Sequence, residues 1–233
     1  DGTWSVSVPA ADVALLTSSS YDAVASYTGI YGNSASATRS LAVDLVPPAT
    51  PNASLTQDTG TADTTPLTAN GAITAPTNTE TGATLQYRVT KDQGTAGSWG
   101  SYSAPSTDGT ADGSYKVEVR QTDVAGNASS VQTLNYVLDT VAPTVSSVTD
   151  DIAASITKSA ITFTVTFSEA LTGTISTSNF TATNGTVSSV TRVGSTNAYK
   201  VLVTPTAGLA SGTVALSLEG SGLSDAAGNV PAN

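Results

Sequence analysis

Polar and apolar residues alternate along several short stretches of the chain. The clearest stretches are 4–8, 114–122, 160–168 and 213–218, in which apolar residues, many of them β-branched or aromatic, occupy every second position. This period of two predicts half-buried β-strands. Turns rich in Gly, Asn, Asp and Pro separate the stretches, so the pattern indicates an all-β sandwich with about seven strands per domain. A short helical signal covers residues 9–16.

Two sequence markers recur along the chain with nearly the same period. Asp44-Leu-Val-Pro-Pro recurs 95 residues later as Asp139-Thr-Val-Ala-Pro. A turn that ends in Gly-Asn places its asparagine at Asn33, Asn127 and Asn229, which are 94 and 102 residues apart. Repetition with a period close to the size of one domain indicates tandem domains.

The Pro-bearing segments set the predicted domain boundaries. Pro47 and Pro143 cannot donate a ladder hydrogen bond and disfavour helix in the residue before them, so both mark linkers. We therefore predict domains at 47–141 and 142–233, preceded at 1–46 by the C-terminal part of another domain. The strands predicted in 1–46 lie at 4–8, 21–27 and 36–43. Three strands with an open face do not form an independent sandwich, so further sequence or another chain would complete this part.

The charge of the chain is acidic and resides mainly in turn-forming residues. The net charge is −10, and the acidic side chains are fourteen Asp and four Glu. Asp favours turns and oxygen-ligand metal sites, whereas Glu favours helices. The eight Lys and Arg do not cluster along the sequence, which disfavours nucleic acid as a partner. A bound cation is the natural partner of such a chain.

Missing residue types exclude several classes of function. The chain has no Cys, no Met and no His, which excludes a disulfide framework and thiolate zinc sites. The common nucleophile–base pairs of hydrolases then lack their base. A carboxylate pair alone would suffice for glycoside hydrolysis, but the acidic residues fall at predicted domain junctions and not in a cleft. We therefore predict that the protein is not an enzyme. No apolar stretch reaches the length of about 18 residues that spans a membrane.

An ordered set of motifs runs through nearly the whole chain. The motifs are Asp1-Gly-Thr-Trp-Ser-Val-Ser-Val-Pro-Ala, Arg120-Gln-Thr-Asp-Val-Ala-Gly-Asn-Ala-Ser, Asp139-Thr-Val-Ala-Pro, Val165-Thr-Phe-Ser-Glu and Asp225-Ala-Ala-Gly-Asn. This set resembles the bacterial immunoglobulin-like repeats of giant type I-secreted (RTX) surface adhesins of Gram-negative bacteria. The resemblance implies tandem immunoglobulin-like (Ig-like) sandwiches arranged end to end and an extracellular position on the cell surface. It also implies calcium at or near the domain junctions, and a rod-like extender role in cell adhesion and biofilm formation.

The Ig-like topology brings distant carboxylates to one pole of the last domain. The loop between the second and third strands and the loop between the last two strands lie at the pole where the chain enters. Glu169 ends the second predicted strand, Asp225 lies in the last loop, and Asp139 lies in the linker. We expect these carboxylates to converge and to bind a structural Ca²⁺, which takes about six to eight oxygen ligands. Gly228 allows the loop to turn tightly.

The preceding junction carries a second candidate calcium site. Asp44 lies in its linker, Asp123 in the loop between the last two strands of the middle domain, and Glu80 in the turn that should face them. In the first part of the chain, Gly29 stands where the later loops have Asp. We therefore predict no cation at that pole.

A further acidic pair lies between the first two strands of the middle domain. Asp58 and Asp63 should sit at the exit pole, near Asp139, where they are candidates to add ligands. The alternative for Asp123 and Asp225 is a local role, because an Asp in a loop often bonds its own backbone to form the turn.

Two other function classes compete with the calcium-stiffened spacer. A module that binds glycan or a host surface would present an exposed aromatic platform, for which Trp99 and Tyr102 are the candidates, although core packing or strand-edge cover suits these rings better. A self-associating subunit of an extracellular matrix or filament would complete residues 1–46 with strands from another copy. The sequence leaves both alternatives open.

Overall fold

The computed structural model describes residues 7–13, 15–16, 19–60, 65–152, 159–208, 212–220 and 222–231. The chain is nearly all β, with 43% of its residues in strands and 3% in helix. The prediction of an all-β protein is therefore confirmed. Most of the strand predicted at 4–8 falls outside the described residues, and residues 7 and 8 are not in a strand.

The N-terminal part consists of one helical turn and one hairpin. The turn, α1 (Ala10–Val13), lies within the predicted helical segment, and the hairpin joins β1 (Ser20–Thr28) to β2 (Ser34–Ala42). The antiparallel register runs without interruption from the pair Ser20–Ala42 to the pair Thr28–Ser34. Facing residues share one side of such a ribbon, so one side carries mainly Ala and Tyr and the other mainly Ser and Thr. Both strands are largely exposed.

The middle unit contains a two-stranded and a four-stranded sheet. Its strands are β3 (Ser54–Leu55), β4 (Leu67–Thr68), β5 (Ile73–Thr74), β6 (Thr84–Lys91), β7 (Gly113–Thr122) and β8 (Gln132–Leu138). β3 pairs with β5, while the larger sheet has the order β4-β8-β7-β6. β4 runs parallel to β8, and the other pairs are antiparallel. The core between the sheets includes Ala53, Tyr115, Val117, Val119, Tyr136 and Leu138.

The last unit repeats the two-sheet plan with a different strand order. Its elements are β9 (Val145–Asp150), β10 (Ile161–Phe167), the 3₁₀ turn Thr177–Asn179, β11 (Phe180–Thr183), β12 (Gly185–Arg192), β13 (Ala198–Pro205) and β14 (Ala215–Leu218). The sheets have the orders β12-β13-β10-β9 and β11-β14. The core includes Val165, Phe167, Leu171, Phe180, Tyr199, Val201, Val203 and Leu223.

Sequence alternation accounts for which side chains reach the cores. In β7, Val117 and Val119 are completely buried, and in β10, Val165 and Phe167 are each 2% exposed. Successive strand side chains point to opposite faces, so the apolar positions of each stretch line the interior. Burial of such side chains contributes roughly 1.5–3 kcal/mol each. The cores therefore hold the strands whose ends carry the candidate site.

Candidate metal centre

Carboxylates from three separate segments meet at the second junction, which is the linker around Asp139 between the middle and last units. Asp139 directly follows β8, Glu169 lies two residues after β10, and Asp225 lies in the loop after β14. One carboxylate oxygen of each lies within 4.8 Å of the other two. In the described part of the chain, no other three His, Cys, Asp or Glu side chains form such a group. The structure thus brings these residues together, while ion binding stays a prediction.

The loop 225–229 fixes Asp225 through Asn229. The Asp225 N–H donates to the Asn229 carbonyl at 3.0 Å, and the Asn229 N–H donates to Asp225 Oδ1 at 2.9 Å. Asn229 Nδ2 donates to Asp225 Oδ2 at 2.8 Å. Gly228 has a φ of 94°, in a region that favours glycine, and this allows the chain to turn back. Asp225 is 3% exposed, and these hydrogen bonds hold its buried carboxylate in place.

Asp139 is positioned by the same loop. Asn229 Nδ2 also donates to the Asp139 carbonyl, at 2.8 Å. Within the linker, the Val141 N–H donates to Asp139 Oδ1 at 3.2 Å. The linker is thus attached to the last unit on the side where Asp225 lies.

Glu169 is positioned by hydrogen bonds on both sides of it. The Ser168 N–H donates to the Thr144 carbonyl at 2.8 Å, and the Thr144 N–H donates to Ser168 Oγ at 3.0 Å. Three residues after Glu169, the Thr172 N–H donates to the Ser224 carbonyl at 2.7 Å. These bonds fasten the segment after β10 to the linker and to the loop that holds Asp225.

The cluster brings like charges close together. Burial raises the pKa of Glu169, and the charges of Asp225 and Asp139 raise it further. Burial also raises the pKa of Asp139; the hydrogen bond from the Val141 N–H acts to lower it, and the charges of Asp225 and Asp112 add to the increase. Among the described residues, the ion pairs of Lys and Arg involve other carboxylates. Protonation or a bound cation would relieve this repulsion.

The donor chemistry of the cluster fits a hard divalent cation. Its side chains offer carboxylate oxygens, the ligands that Ca²⁺ prefers, and no sulfur or imidazole nitrogen. Ca²⁺ accepts about six to eight oxygens in a flexible arrangement, so carbonyls and waters would complete the shell. The residues present therefore fit the predicted calcium ion.

Asp112 is a charged neighbour that sequence reasoning missed. It directly precedes β7, and its carboxylate accepts hydrogen bonds from the Thr140 N–H at 3.1 Å and from Thr140 Oγ1 at 2.8 Å. Its charge contributes to the raised pKa of Asp139. The only signal in the sequence was an Asp in a turn before a strand, which is a common structural feature.

The first junction, which is the linker around Asp44, does not gather its predicted ligands in the same way. Asp44, Asp123 and Glu80 do not form a group of carboxylates within 4.8 Å of one another. The loop 123–127 has the same side-chain hydrogen bonds as the loop 225–229, because Asn127 N and Nδ2 each donate to the Asp123 carboxylate at 2.8 Å. The exposed Glu80 instead uses its N–H, which donates to Gln121 Oε1 at 2.9 Å.

Neutral amides form the contacts at the first junction. Gln121 is completely buried, and its Nε2 donates to the carbonyls of Ala49 at 2.7 Å and Asn78 at 3.3 Å. Asn78 Oδ1 accepts from the Asn52 N–H at 3.0 Å, and Asn78 Nδ2 donates to the Thr50 carbonyl at 2.8 Å. Hydrogen bonds between neutral groups thus hold this linker to the middle unit.

The acidic loop of the middle unit reaches the second junction through an uncharged residue. Asp63 lies outside the described residues, and the exposed Asp58 is not part of the carboxylate group. Its neighbour Thr59 donates its hydroxyl to the Ala227 carbonyl. The loop therefore contacts the last unit, while a ligand role for Asp58 or Asp63 stays a prediction.

The loop that joins β1 to β2 shares this backbone without a carboxylate. The Gly29 N–H donates to the Asn33 carbonyl at 2.8 Å, as Asp225 does to Asn229. Gly32 has a φ of 81°, close to the value of Gly228. The absence of a cation at this loop stays a prediction.

The aromatic rings proposed as a glycan platform have other contacts. Trp99 is half-buried, and the guanidinium carbons of Arg88 and Arg120 lie 4.7 Å and 4.2 Å from the centroid of its ring. Tyr102 donates its hydroxyl to the Gly71 carbonyl and packs against the core. Trp99 thus packs against two arginine side chains of β6 and β7 and Tyr102 packs against the core, while glycan binding stays an untested alternative.

Three of the eight cationic side chains lie on the outer face of β6 and β7. Arg88 faces Glu118 across the strands, and Lys116 and Arg120 lie two residues to either side on the same face. Glu118 forms ion pairs with Arg88 at 2.7 Å and with Lys116 at 3.2 Å. Burial acts to raise the pKa of Glu118, but these two cations outweigh it and lower the pKa. Strand register therefore brings these three cationic side chains together, although they are dispersed in the sequence.

Within the described ranges, no helix has the length and hydrophobicity needed to cross a lipid bilayer. Residues 45–140 match one family described as a bacterial Ig-like domain, and residues 139–233 match a second family of the same description. No curated protein and no solved structure matches the chain. The chain therefore contains two tandem bacterial Ig-like domains, which together span residues 45–233.

Proposed function

We propose that this chain is a spacer segment of a large bacterial cell-surface adhesin, and that Ca²⁺ rigidifies its second junction. The observation that carries the proposal is the convergence of Asp139, Glu169 and Asp225 within 4.8 Å. The three residues belong to the linker and to two loops of the last unit, so an ion that binds all three connects these segments.

The mechanical consequence of such an ion follows from where its ligands lie. Asp139 follows the last strand of the middle unit, whereas Glu169 and Asp225 belong to the last unit. An ion bound to all three would restrict rotation about the linker and fix the angle between the units. Without the ion, the repulsion that contributes to the raised pKa values of Asp139 and Glu169 favours separation.

The extracellular and adhesive parts of the proposal rest on the kind of domain. Tandem bacterial Ig-like domains are consistent with a segment of an extracellular adhesin. The ordered motifs that resemble giant type I-secreted adhesins support cell adhesion and biofilm formation. The proposal assigns the chain a structural role and no catalytic step.

The hairpin β1–β2 supports the proposed division at residue 46. Its loop has the same Gly-Asn turn and the same backbone hydrogen bond as the loop between β7 and β8. In the middle unit, the corresponding β7–β8 pair lines the core with Tyr115 and Tyr136. We therefore assign β1–β2 to the last hairpin of a further Ig-like unit.

Calorimetric titration of the full chain with CaCl₂ tests the proposed site. The account predicts one site, and it predicts that Glu169→Gln weakens binding at least about tenfold, because a ligand charge is lost. Glu80→Gln is the matched control at the other junction and should leave the titration unchanged. Small-angle scattering should show a shorter maximum dimension or a broader shape distribution when calcium is chelated. Absence of binding, or equal binding by both variants, would refute the site.

Self-association is a second candidate, favoured by the exposed face of the hairpin. Leu41 and Tyr27 are 46% and 69% exposed, and they lie on the same side of the hairpin, which is rich in alanine. If another copy covers that side, Ala37→Lys should abolish association, whereas Thr38→Lys on the opposite side should not. Sedimentation velocity over a concentration series measures this, and a monomer at all concentrations would exclude the candidate.

A further inference from the structure

The same asparagine contact occurs at both junctions. Asn127 Nδ2 donates to the carbonyl of Asp44 at 3.0 Å, and Asn229 Nδ2 donates to the carbonyl of Asp139 at 2.8 Å. In each case the acceptor belongs to the linker residue that begins the repeated motif. The contact is therefore kept in two units that differ in strand order.

A primary amide can make this contact while it also holds the loop. The side-chain nitrogen of Asn has two donor hydrogens. One is directed to the carboxylate of Asp123 or Asp225 at 2.8 Å, and the other to the linker carbonyl. The hydrogen bonds from Asn127 also lower the pKa of Asp123. None of these bonds needs a metal ion.

The third loop shows that the turn itself does not require the Asp–Asn pair. Gly29 replaces the aspartate, yet its N–H still donates to the Asn33 carbonyl at 2.8 Å. A Cβ atom added to Gly29 would lie 2.7 Å from Asn33 Oδ1, so the Asn33 amide lies against the glycine. The backbone turn therefore forms without the pair, and attachment of the linker explains its presence in the other two loops.

We propose that Asn127 and Asn229 are positioning residues that fasten each linker to the following domain without an ion. At the first junction this contact and the amides around Gln121 are the attachment, so its geometry is independent of calcium. At the second junction Asn229 orients the linker residue Asp139 beside Asp225. The inference for Asn127 does not rest on the proposed calcium site, and the inference for Asn229 deepens that proposal.

Pairs of spin labels can test the first junction, because the chain has no native cysteine. Labels at Thr38→Cys and Thr133→Cys report the distance between the hairpin and the middle unit, and both positions are exposed. We expect chelation of calcium to leave this distance distribution unchanged and Asn127→Ala to broaden it. Asn33→Ala, in the loop without the aspartate, is the matched control and should have no effect.

Hydrogen exchange separates positioning from folding. The Val46 N–H, which donates to Asp44 Oδ1 at 3.0 Å, should exchange about three to ten times faster in Asn127→Ala, the factor expected for one net hydrogen bond. Amides in the core of β7 should keep their protection, which shows that the unit remains folded. Broadening by chelation, or an effect of Asn127→Ala no larger than that of Asn33→Ala, would overturn the proposal.

Measurements at the second junction distinguish the effect of the Asn229 contact from the effect of the calcium site. Labels at Thr133→Cys and Ser189→Cys should show broadening from Asn229→Ala in chelator, where no ion contributes. If chelation does not change the distance distribution of the wild-type protein but Asn229→Ala broadens it, the proposed calcium site is refuted and the positioning role of Asn229 is supported. If chelation broadens the distribution but Asn229→Ala causes no further broadening, the positioning role of Asn229 is refuted and the calcium site is supported.

Discussion

The two linkers of this chain share one loop geometry but differ in the chemistry around it. At both, an Asn side chain joins a loop aspartate to the linker carbonyl, at 3.0 Å from Asn127 and 2.8 Å from Asn229. Around the first linker, the buried Gln121 forms a network of neutral hydrogen bonds. Around the second, Glu169 and Asp225 approach Asp139 and form a cluster of carboxylates.

The two junctions differ at one buried position beside the loop aspartate. Two residues before the loop aspartate, the middle unit has Gln121 and the last unit has Leu223, and both side chains are buried. The amide supplies hydrogen bonds to the linker that leucine cannot supply. The last unit instead places Glu169 beside the linker residue Asp139, where protonation or a bound cation would relieve the repulsion between the carboxylates. One repeat thus yields a junction held by amide hydrogen bonds and a junction whose carboxylates converge.

The largest expected effect is the stabilisation of the last unit by calcium. A ligand at about 100 times its dissociation constant raises the free energy of unfolding by about 2.7 kcal/mol. Glu169→Gln should lose most of this gain, as measured by calorimetric melting with calcium and with chelator. Glu80→Gln provides the control. An equal gain in the Glu169→Gln protein would show that the ion binds elsewhere.

Replacement of Gln121 should have a smaller effect that does not depend on calcium. Gln121→Leu removes the hydrogen bonds to the Ala49 carbonyl and from the Glu80 N–H, and one intramolecular hydrogen bond contributes about 0.5–1.5 kcal/mol. Urea unfolding with and without calcium should show the same loss. Gln57→Leu, at an exposed position, should remain within about 0.5 kcal/mol of the wild type. A calcium-dependent loss would contradict the distinction between the junctions.

The pH dependence of stability should have opposite signs with and without calcium. In metal-free buffer, the raised pKa of Glu169 means that the folded state binds its proton more tightly than the unfolded state. Glu169→Gln should then exceed the wild type in stability at neutral pH, and this difference should shrink as the pH falls through the raised pKa and vanish below the ordinary pKa of glutamate.

With calcium, the wild type should be the more stable protein at neutral pH. It should lose that advantage on acidification, because protons compete with the ion for the carboxylate. Thermal melts of both proteins from neutral pH down to below the ordinary pKa of glutamate measure the difference. The same slope in both buffers would contradict the assignment of Glu169 as a ligand.

The smallest expected effect is that of Glu80→Gln on the melting of the middle unit. The side chain is exposed and the backbone N–H, not the carboxylate, forms the contact with Gln121. The free energy of unfolding should change by less than about 0.5 kcal/mol, with or without calcium. A calcium-dependent change in the melting of the middle unit would indicate a site at the first junction after all.

The sequence alone predicted the strands that show clear alternation and the loops that carry the repeated motif. The alternation in residues 114–122 and 160–168 predicted β7 and β10, and the repeated Gly-Asn turns predicted the loops beside the linkers. Because strand ends and loops of a sandwich meet at its poles, the convergence of Asp139, Glu169 and Asp225 was an expectation of topology. That these residues bind calcium remains a proposal.

Sequence was insufficient where contacts depend on long-range register. Gln121 lies on the inward face of a strand, and its acceptor Ala49 is 72 residues away, so nothing local predicts the pair. Arg88 and Glu118 are 30 residues apart and meet only because β6 pairs with β7 in one register. The difference between the junctions arises from such contacts, and so the sequence suggested two calcium sites where the structure gathers one carboxylate cluster in its described part.

Anomalous X-ray scattering from crystals grown with CaCl₂ tests the central claim most directly. The account predicts one calcium peak coordinated by Asp139, Glu169 and Asp225, and no peak beside Asp44 and Asp123. An anomalous map without density among the three carboxylates would contradict the calcium-stiffened junction.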